Sequence, residues 1–338
     1  MTTAMVTGGL GFIGSFIARR LVTDNLVDRV VCIDHFGRYT ASTRADFVDY
    51  RHLRLAGIED KVVVERAESR FATLLFRLID RWRPDYVFHL AALPLAKLDN
   101  LMTEEAREGS VDSTAALLEA IAYFGERDGY RPRRFVYASS SMVYGDFEGP
   151  VADESHPTRP KEIYGTMKLA GEVVTWGLAR AYDVPATVIR PSAVYGPTDM
   201  NRRVSQIFIE KAFKGETISV QGADEALDFT YVEDVAQGFV RAATHAAGAG
   251  ETFNITHGRA HTLLDFVECL RRHFPELRHE VVGRDNFRPR RGTLSIDKAR
   301  RLIGYEPAHT LQQGVDAYVT FLREQGWATS GPPRRVRV

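Results

Sequence analysis

The sequence predicts an α/β fold in which a doubly wound parallel sheet is joined to a smaller, mixed C-terminal domain. Three features of the 338 residues support this prediction. Short β-branched or aromatic runs alternate with helical patterns in the first half, a glycine-rich turn follows the first run, and the loops lengthen after Pro191. Because strands that alternate with helices form parallel sheets covered on both faces, we expect the first half to be one such layered domain.

The strands of the first half are predicted from short apolar runs, which are typical of strands buried on both faces of a sheet. Helical periodicity separates one run from the next. The predicted strands are Ala4–Val6, Val30–Ile33, Lys61–Val64, Tyr86–Phe88, Arg134–Tyr137 and Ala186–Ile189. The predicted helices are Phe12–Leu21, Ala72–Trp82, Thr103–Phe124 and Tyr164–Tyr182.

The second half has turn-rich segments between two predicted helices, Val204–Phe213 and Leu263–Phe274. Phe229–Val232 and Thr252–Ile255 are predicted strands, so we expect the later chain to return to the first sheet. The predicted boundaries are a first domain over 1–187, rejoined by 226–256, a second, substrate-binding domain over 188–225 and 257–327, and a disordered tail over 328–338.

The charge balance and the apolar pattern limit the partners of the protein. Lysine plus arginine total 44 and aspartate plus glutamate total 44, so a sequence-independent nucleic-acid binder is not expected. No apolar run approaches the roughly 20 residues that span a bilayer. The N-terminus lacks a basic segment before an apolar one, and there are two cysteines, Cys32 and Cys269. We therefore expect a soluble cytoplasmic protein without a membrane partner.

Glycines cluster directly after the first predicted strand, at the start of a helix. Gly9, Gly11 and Gly14 have the spacing of the dinucleotide-binding fingerprint, and Gly8 precedes them. In a Rossmann-type unit of this kind, Gly8 would form the tight turn and Gly11 would let the backbone approach a pyrophosphate, while Gly14 would let helix and sheet pack closely. The N-terminal end of the helix then supplies N–H groups to the phosphates.

An acidic residue, Asp34, lies twenty residues beyond Gly14, at the end of the second predicted strand. A carboxylate at this position can accept hydrogen bonds from ribose hydroxyls and would repel a 2′-phosphate. Asp34 therefore predicts NAD as the cofactor rather than NADP. The alternative is that Asp34 only caps a helix.

A tyrosine and a lysine, Tyr164 and Lys168, are four residues apart and therefore share one face of a predicted helix. A free tyrosine has a pKa of about 10, and a neighbouring cation lowers that pKa, which makes the phenol a general base. Serines 139–141 follow a predicted strand, at the sheet edge where ligands bind in such folds. The alternatives are an ordinary surface pair and serines that cap local backbone.

Taken together, these motifs resemble the extended short-chain dehydrogenase/reductases, in their nucleotide-sugar epimerase/dehydratase branch. The resemblance runs from Gly8 to about Pro307 and implies a Rossmann-type sheet with a substrate domain. The further segments that carry it are Phe88–Ala92, Arg190–Pro197, Asp228–Val235, Asp297–Ala299 and Leu302–Pro307.

The resemblance implies an NAD-dependent enzyme whose catalytic residues are Ser140, Tyr164 and Lys168, with Ser140 and Ser141 contacting the substrate. Glu68 and Ser69 occupy the positions at which the family has an Asp-Ile pair beside adenine. The residues implied in cofactor binding are Gly8, Gly11, Phe12, Ile13, Gly14, Asp34, Glu68, Ser69, Leu90, Ala91, Tyr164 and Lys168.

Two positions depart from the family pattern on the substrate side. Ala193 stands where members commonly have an asparagine, and Leu227 stands where they have an arginine near the diphosphate. A cation missing from a diphosphate site weakens binding unless another replaces it. The candidate replacements are Arg202, Arg203, Arg288 and Arg290, and the alternative is that these arginines are solvated surface.

The predicted reaction is the NAD-dependent epimerisation of a nucleotide sugar at C4, on a UDP-hexose or UDP-hexuronate, through a transient 4-keto sugar. Dehydratases of the family have an Asp-Glu pair directly after the catalytic hydroxyl residue, whereas this chain has Ser141 and Met142. Neither side chain can drive elimination, because a hydroxyl is a poor acid and a thioether cannot take a proton. The alternatives are a dehydratase, a decarboxylase, a ketoreductase or a non-catalytic NAD-binding protein.

The resemblance also implies a homodimer, in which the helices Thr103–Phe124 and Tyr164–Tyr182 of each subunit form a four-helix interface. The alternative is that the apolar residues of these helices face the sheet. The apolar residues of these helices are Leu117, Leu118, Ile121, Val173 and Leu178.

No metal site is expected, because the ten histidines lack paired ligand spacing.

Overall fold

The strands and helices alternate through the first half of the chain, as the sequence predicts. The structure is a computed structural model that describes residues 1–35, 48–69, 71–92, 102–284 and 286–328, so all but the first residue of the predicted tail lies outside the described residues. The strands are β1 (Thr3–Thr7), β2 (Arg29–Asp34), β3 (Val62–Arg66), β4 (Tyr86–His89), β5 (Arg134–Ala138), β6 (Val151–Ala152), β7 (Ala186–Pro191), β8 (Val194–Tyr195), β9 (Ile218–Gln221), β10 (Ala226–Leu227), β11 (Thr230–Tyr231), β12 (Glu251–Ile255), β13 (His261–Thr262), β14 (His279–Val282) and β15 (Thr293–Leu294). The helices are α1 (Phe12–Thr23), α2 (Arg51–Arg54), α3 (Ala72–Trp82), α4 (Thr103–Arg107), α5 (Ser113–Asp128), α6 (Ile163–Ala181), α7 (Val204–Lys214), α8 (Val232–Thr244), α9 (Leu263–Arg271), α10 (Asp297–Ile303) and α11 (Leu311–Glu324).

Seven of the strands form one parallel sheet in the order β12-β7-β5-β4-β1-β2-β3. The chain moves from β1 outward to β3 on one side and then crosses to β4 on the other, so the strand order reverses beside β1. Ligands bind at such a reversal, outside the carboxyl ends of the strands. The predicted fold class, a doubly wound α/β sheet, is confirmed.

Helices cover both faces of the sheet. Helices α1 and α8 pack on one face, where Val30, Phe88 and Phe239 are fully buried. Helices α3, α5 and α6 cover the other face, with Phe124 and Tyr137 at its centre. The predicted helix Thr103–Phe124 consists of α4, a π-helical turn over Glu108–Asp112, and α5.

Two strand predictions differ from the structure. The predicted strand Lys61–Val64 was expected to be buried on both faces, but β3 is the edge strand and its Val64 is 41% exposed. The predicted strand Phe229–Val232 does not return to the first sheet. Only Thr230–Tyr231 is extended, it pairs with β8, and α8 begins at Val232 because the helical pattern of the following residues prevails there.

The second half folds around a separate hydrophobic core. This core lies between α7, α9 and α11, and includes the fully buried Phe266 together with Phe208 and Tyr318. The predicted strand Thr252–Ile255 does rejoin the first sheet, because β12 pairs with β7 over five residues. The predicted domain boundaries stay a prediction. Within the described ranges, no helix is both long and apolar enough to cross a membrane.

The helices proposed for a dimer interface bury most of the residues named for it. Leu117 and Leu118 are fully inaccessible and Ile121 nearly so, and all three pack beneath the sheet, as the alternative interpretation has it. Leu178 is partly buried at the edge of the same core, whereas Val173 is 66% exposed.

We expect Leu117→Ala to lower the free energy of unfolding by about 2–5 kcal/mol, because it leaves a cavity in a closely packed core. Val173→Ala is the matched control and should change stability little, since Val173 is exposed. Urea denaturation of both variants tests this, and equal effects at the two positions would contradict the core assignment of Leu117.

Candidate active site

A cavity of about 650 Å³ lies at the carboxyl ends of β1, β4 and β5, where the strand order reverses. Its lining comes from both halves of the chain. The glycine-rich turn and Asp34 line it on the side of the sheet. The start of α7 lines it on the side of the second core, together with Arg284, Phe287, Arg288 and Arg291. The fold therefore brings the two halves together around a single site.

The glycine-rich turn is built as its spacing predicts. Gly8 has a φ of +68° and donates its N–H to the Ile33 carbonyl at 2.8 Å, which fixes the turn to β2. A Cβ at Gly14 would overlap the Gly8 carbonyl oxygen, and a Cβ at Gly11 would approach it to 2.8 Å. These contacts leave no room for a Cβ at Gly11 or Gly14, so α1 starts directly against the turn, and its first residues line the cavity.

Asp34 lies at the end of β2 with a side chain that lines the cavity. Its carboxylate accepts a hydrogen bond from the Leu10 N–H at 3.2 Å, which holds it beside the glycine-rich turn. Arg54 donates to the Leu10 carbonyl at 2.5 Å and to the Thr198 carbonyl at 2.7 Å. Arg54 is 6% exposed and joins the turn to the second half of the chain.

These residues fit a bound dinucleotide. The turn presents backbone without side chains at the positions a pyrophosphate would need, and the Asp34 carboxylate stands at the strand end where ribose hydroxyls would lie. Phe12, Ile13, Leu90 and Ala91 also line the cavity. Glu68 and Ser69 follow β3 and are outside the cavity lining, so their contact with adenine stays a prediction.

The predicted catalytic residues Ser140, Tyr164 and Lys168 line the same cavity. Ser140 follows β5, and its hydroxyl accepts the Met142 N–H at 3.2 Å, which caps a short 3-10 turn. Tyr164 and Lys168 lie in the first turns of α6, and the Lys168 ammonium is 5.8 Å from the centre of the Tyr164 ring. The sequence spacing does place the phenol and the ammonium on one helix face.

The electrostatics of this group differ from the expectation. Burial raises the pKa of Tyr164, and the positive charge that opposes this is that of Arg203, with a further lowering from a hydrogen bond with Ser140. The Lys168 ammonium, which was expected to supply this positive charge, donates to the Ala138 carbonyl at 2.7 Å. Burial lowers the pKa of Lys168 to about 7, against the attraction of Glu172.

His89 is buried below these residues and is neutral. Burial, assisted by the charge of Lys168, lowers the pKa of His89 to about 3. Its Nδ1 lies 2.7 Å from the Thr7 hydroxyl and its Nε2 lies 3.0 Å from the Ser113 hydroxyl. His89 therefore ties β1 and β4 to the start of α5, which is a structural role.

The arginines predicted for the substrate separate into two groups. Arg202, Arg203 and Arg288 line the cavity, whereas Arg290 is exposed outside it and donates its backbone N–H to Asp146. The neighbour that the sequence analysis missed, Arg291, lines the cavity instead. The two arginines are adjacent in a segment between β14 and β15, where no helix or strand period could have separated them in the sequence.

Arg291 lines the cavity and has one donor atom without a hydrogen bond. Its Nε is buried without a hydrogen-bond partner. Burial and then the like charges of Arg288 and Arg203 lower the pKa of Arg291 to about 10.

Ala193 and Leu227, the two positions that depart from the family pattern, also line the cavity, and Ser141 and Met142 lie beside Ser140. Among the described residues, no cluster of three or more His, Cys, Asp or Glu side chains could hold a metal ion.

Comparison with known protein families identifies the family to which this arrangement of residues belongs. The family model described as NAD dependent epimerase/dehydratase family matches residues 4–256. The chain belongs to this family. The suspected family is thereby confirmed, and so is NAD as the cofactor, because dependence on NAD is part of the family description and related structures contain it.

Curated relatives of this family member include both reaction types. A UDP-glucose 4-epimerase of Mycolicibacterium smegmatis is 30% identical, over 95% of this chain and 98% of the relative. A dTDP-glucose 4,6-dehydratase of Escherichia coli is 28% identical, over 92% of this chain and 90% of the relative. The protein is therefore an enzyme of the epimerase/dehydratase type.

Solved structures share the whole architecture. The UDP-glucuronic acid 4-epimerase of Bacillus cereus, in complex with UDP-glucuronic acid and NAD, has a TM-score of 0.84 at 25% identity, covering 96% of this chain and 99% of that one. The UDP-glucose 4-epimerase of Thermotoga maritima, with UDP-glucose, has a TM-score of 0.81 at the same identity and coverage.

We expect Asp34→Ala to weaken NAD binding by roughly 1.5–3 kcal/mol, the contribution of a hydrogen bond to a charged group. Binding of NADP should change less, because the carboxylate no longer repels a 2′-phosphate. Calorimetric titration of both cofactors checks this, with Asp28→Ala at the far end of β2 as the control. A wild-type protein that prefers NADP would contradict the role given to Asp34.

Proposed function

We propose that the enzyme epimerises a nucleotide sugar at C4 of a UDP-hexose or UDP-hexuronate, through a transient 4-keto sugar. The observation that carries this proposal is the composition of the cavity wall around Ser140. The carboxyl groups among the described lining residues are those of Asp34, beside the glycine-rich turn, and Glu225, which is paired with Arg284. The reacting sugar would therefore meet hydroxyls and a thioether where elimination needs an acid and a base.

In the proposed reaction, Ser140 and Tyr164 hold the C4 hydroxyl of the sugar, and the Tyr164 phenolate takes its proton. NAD, held by the glycine-rich turn and Asp34, would supply the acceptor and then the donor of the C4 hydride. The positive charges of Lys168 and Arg203 stabilise the phenolate. The keto sugar then rotates within the cavity, so that the opposite face of C4 receives the hydride. Tyr164 returns the proton to the new alcohol, and no net oxidation occurs.

The local side chains allow the 4-keto sugar to be reduced but not dehydrated. Dehydration would require proton removal at C5 and protonation of a leaving hydroxyl, and neither Ser141 nor Met142 can supply these steps. A 4-keto sugar in this cavity therefore lacks a nearby group that drives elimination. The similarity to the epimerases of known structure supports the same outcome.

The diphosphate of the substrate is proposed to lie against Arg203, Arg288 and Arg291. These three line the cavity, and after burial the charges of Arg288 and Arg203 add to the lowering of the pKa of Arg291. A bound anion would offset this repulsion. Together they can replace the arginine that the family commonly has at Leu227. An arginine fork binds phosphate oxygens through two parallel hydrogen bonds, which favours Arg291 as the main contact.

The reaction is tested with purified enzyme and a panel of UDP-, dTDP-, GDP- and CDP-hexoses and the corresponding hexuronates, without added reductant. We expect conversion of a UDP sugar into its C4 epimer. Accumulation of a 4-keto-6-deoxy sugar would establish a dehydratase, release of carbon dioxide a decarboxylase, and turnover only with added reduced cofactor a ketoreductase.

Tyr164→Phe should reduce kcat by about 100-fold or more, the usual effect of removing a general base. NAD binding and the melting temperature should stay unchanged, because only the hydroxyl is removed. Ser140→Ala should cost less than Tyr164→Phe, since the phenol can still take the proton. Near-normal turnover by Tyr164→Phe would refute the proposed mechanism.

Arg291→Met should raise KM for the nucleotide sugar by about tenfold or more, as expected for a lost hydrogen bond to a charged group of roughly 1.5–3 kcal/mol. Arg290→Met is the matched control, because the two arginines are adjacent and only Arg291 lines the cavity. Steady-state kinetics of both variants checks this, and an equal rise in KM for both would argue against a diphosphate contact at Arg291.

The homodimer and the cytoplasmic location stay predictions. For the dimer, the exposed Val173 on α6 is the informative residue, because most of the other residues named for the interface lie in the core. We expect sedimentation of the wild type at micromolar concentration to show a dimer, and Val173→Glu to shift it toward monomer. A wild type that sediments only as a monomer would exclude this interface.

A further inference from the structure

A buried ion pair lies directly behind the catalytic residues. Arg190 of β7 donates two hydrogen bonds to the Glu172 carboxylate of α6, at 2.9 Å from Nε and 2.6 Å from Nη2. The two side chains are 8% and 5% exposed. A third guanidinium nitrogen donates to the Tyr144 hydroxyl at 3.0 Å, and Tyr144 in turn donates to Asn254. The pair is therefore fixed on several sides, and none of its members lines the cavity.

Glu172 is also bound to the strand that carries the catalytic serine. The Ser139 hydroxyl donates to the Glu172 carboxylate at 2.5 Å, and the Lys168 ammonium donates to the carbonyl of the preceding residue, Ala138, at 2.7 Å. Two consecutive residues at the end of β5 are thus held by two residues one turn apart on α6. Since Ser140 follows on β5 and Tyr164 precedes on α6, these bonds set the spacing of the two reacting hydroxyls.

Of the buried groups around Lys168 described below, Glu172 supplies the negative charge. From α6 itself, Glu172 and Tyr164 lie within one turn of Lys168. From β4 comes His89, which is neutral, and from β5 comes Tyr137, whose ring centre is 5.1 Å from the ammonium. The attraction that opposes the desolvation of Lys168 is that of Glu172.

A buried ion pair need not stabilise the fold, because desolvation offsets most of the attraction between the charges. Apolar side chains of the same volume would often serve stability as well. The Glu172 carboxylate is bonded to the residue before Ser140 and lies one turn from Lys168. It can therefore act on the reaction as well as on stability.

We propose that Glu172 is a positioning residue of the reaction, which joins the end of β5 to α6 and keeps Lys168 charged. This inference rests on the proposed roles of Ser140, Tyr164 and Lys168. With Lys168 protonated, the buried group of Lys168, Glu172 and Arg190 carries one net positive charge, and deprotonation of Tyr164 neutralises it. Without the carboxylate, two cations would share the same buried space, and Lys168 would release its proton at lower pH.

The test separates charge from hydrogen bonding. Glu172→Gln removes the charge and keeps an acceptor for Ser139, whereas Ser139→Ala removes the hydrogen bond and keeps the charge. Glu126→Gln, on the exposed end of α5, is the matched control. If Glu172→Gln does not fold, Glu172→Gln/Arg190→Gln replaces it, because this variant leaves no unpaired buried charge.

We measure kcat against pH, and the tyrosinate absorbance of Tyr164 as the difference between each protein and its Tyr164→Phe form, with NAD bound. In Glu172→Gln the alkaline limb of kcat should move to lower pH by about one unit, so that activity above it falls about tenfold. Tyr164 should also ionise at lower pH, because the variant lacks a buried negative charge that opposes formation of the phenolate. Ser139→Ala should lower kcat at all pH values without moving the limb. Glu126→Gln should match the wild type.

A folded Glu172→Gln variant with an unchanged alkaline limb and unchanged tyrosinate absorbance overturns the proposal, whatever its melting temperature. The absorbance needs no substrate. If the wild type turns over no nucleotide sugar, the proposed function fails, and the absorbance still decides the role of Glu172.

Discussion

The close contact between α1 and the first turn is the constraint on which the rest of the site depends. Because Gly14 lies against the Gly8 carbonyl, α1 begins only five residues after the end of β1, and three of the four residues between them are glycines. The space left above the turn is bounded by Asp34 on one side and by the strand end with Ser140 on the other. A side chain at Gly14 would overlap the Gly8 carbonyl and force α1 away from the turn. Backbone packing at the turn therefore shapes the cavity independently of Ser140, Tyr164 and Lys168.

Charge divides the cavity into two functional halves. The half beside the start of α7 is rich in arginine, which suits an anionic diphosphate; its cations include Arg203, Arg288 and Arg291. The half around Ser140 has hydroxyls, an ammonium and a phenol, with Met142 as its apolar member. Binding energy at the first half can hold the sugar in the second half without contacts to every hydroxyl, which leaves a keto sugar room to turn over.

Local patterns made part of this structure predictable, and the parts that depend on tertiary neighbours were not. The glycine-rich turn, Asp34 and the Tyr164–Lys168 spacing follow from strand and helix periods alone. The exposure of β3 depends on its place at the sheet edge, and the two-residue strand at Thr230 depends on its partner β8. Arg291 was missed because the direction of a side chain in an irregular segment depends on what packs around it. Glu172 was missed because it lies on α6 and its partner Arg190 lies on a different element, β7.

The pairing of β12 with β7 has a consequence for the order in which the chain assembles. The two strands are adjacent in the sheet but separated by the whole of α7, α8 and the short strands between them. While the chain is being synthesised, β7 therefore presents an open hydrogen-bonding edge until residue 255 has emerged from the ribosome. An unpaired edge of this kind is a template for pairing with other chains. A nascent or truncated chain that ends before Glu251 would thus expose β7, all of whose residues are buried in the complete protein, at the sheet edge that β12 otherwise occupies.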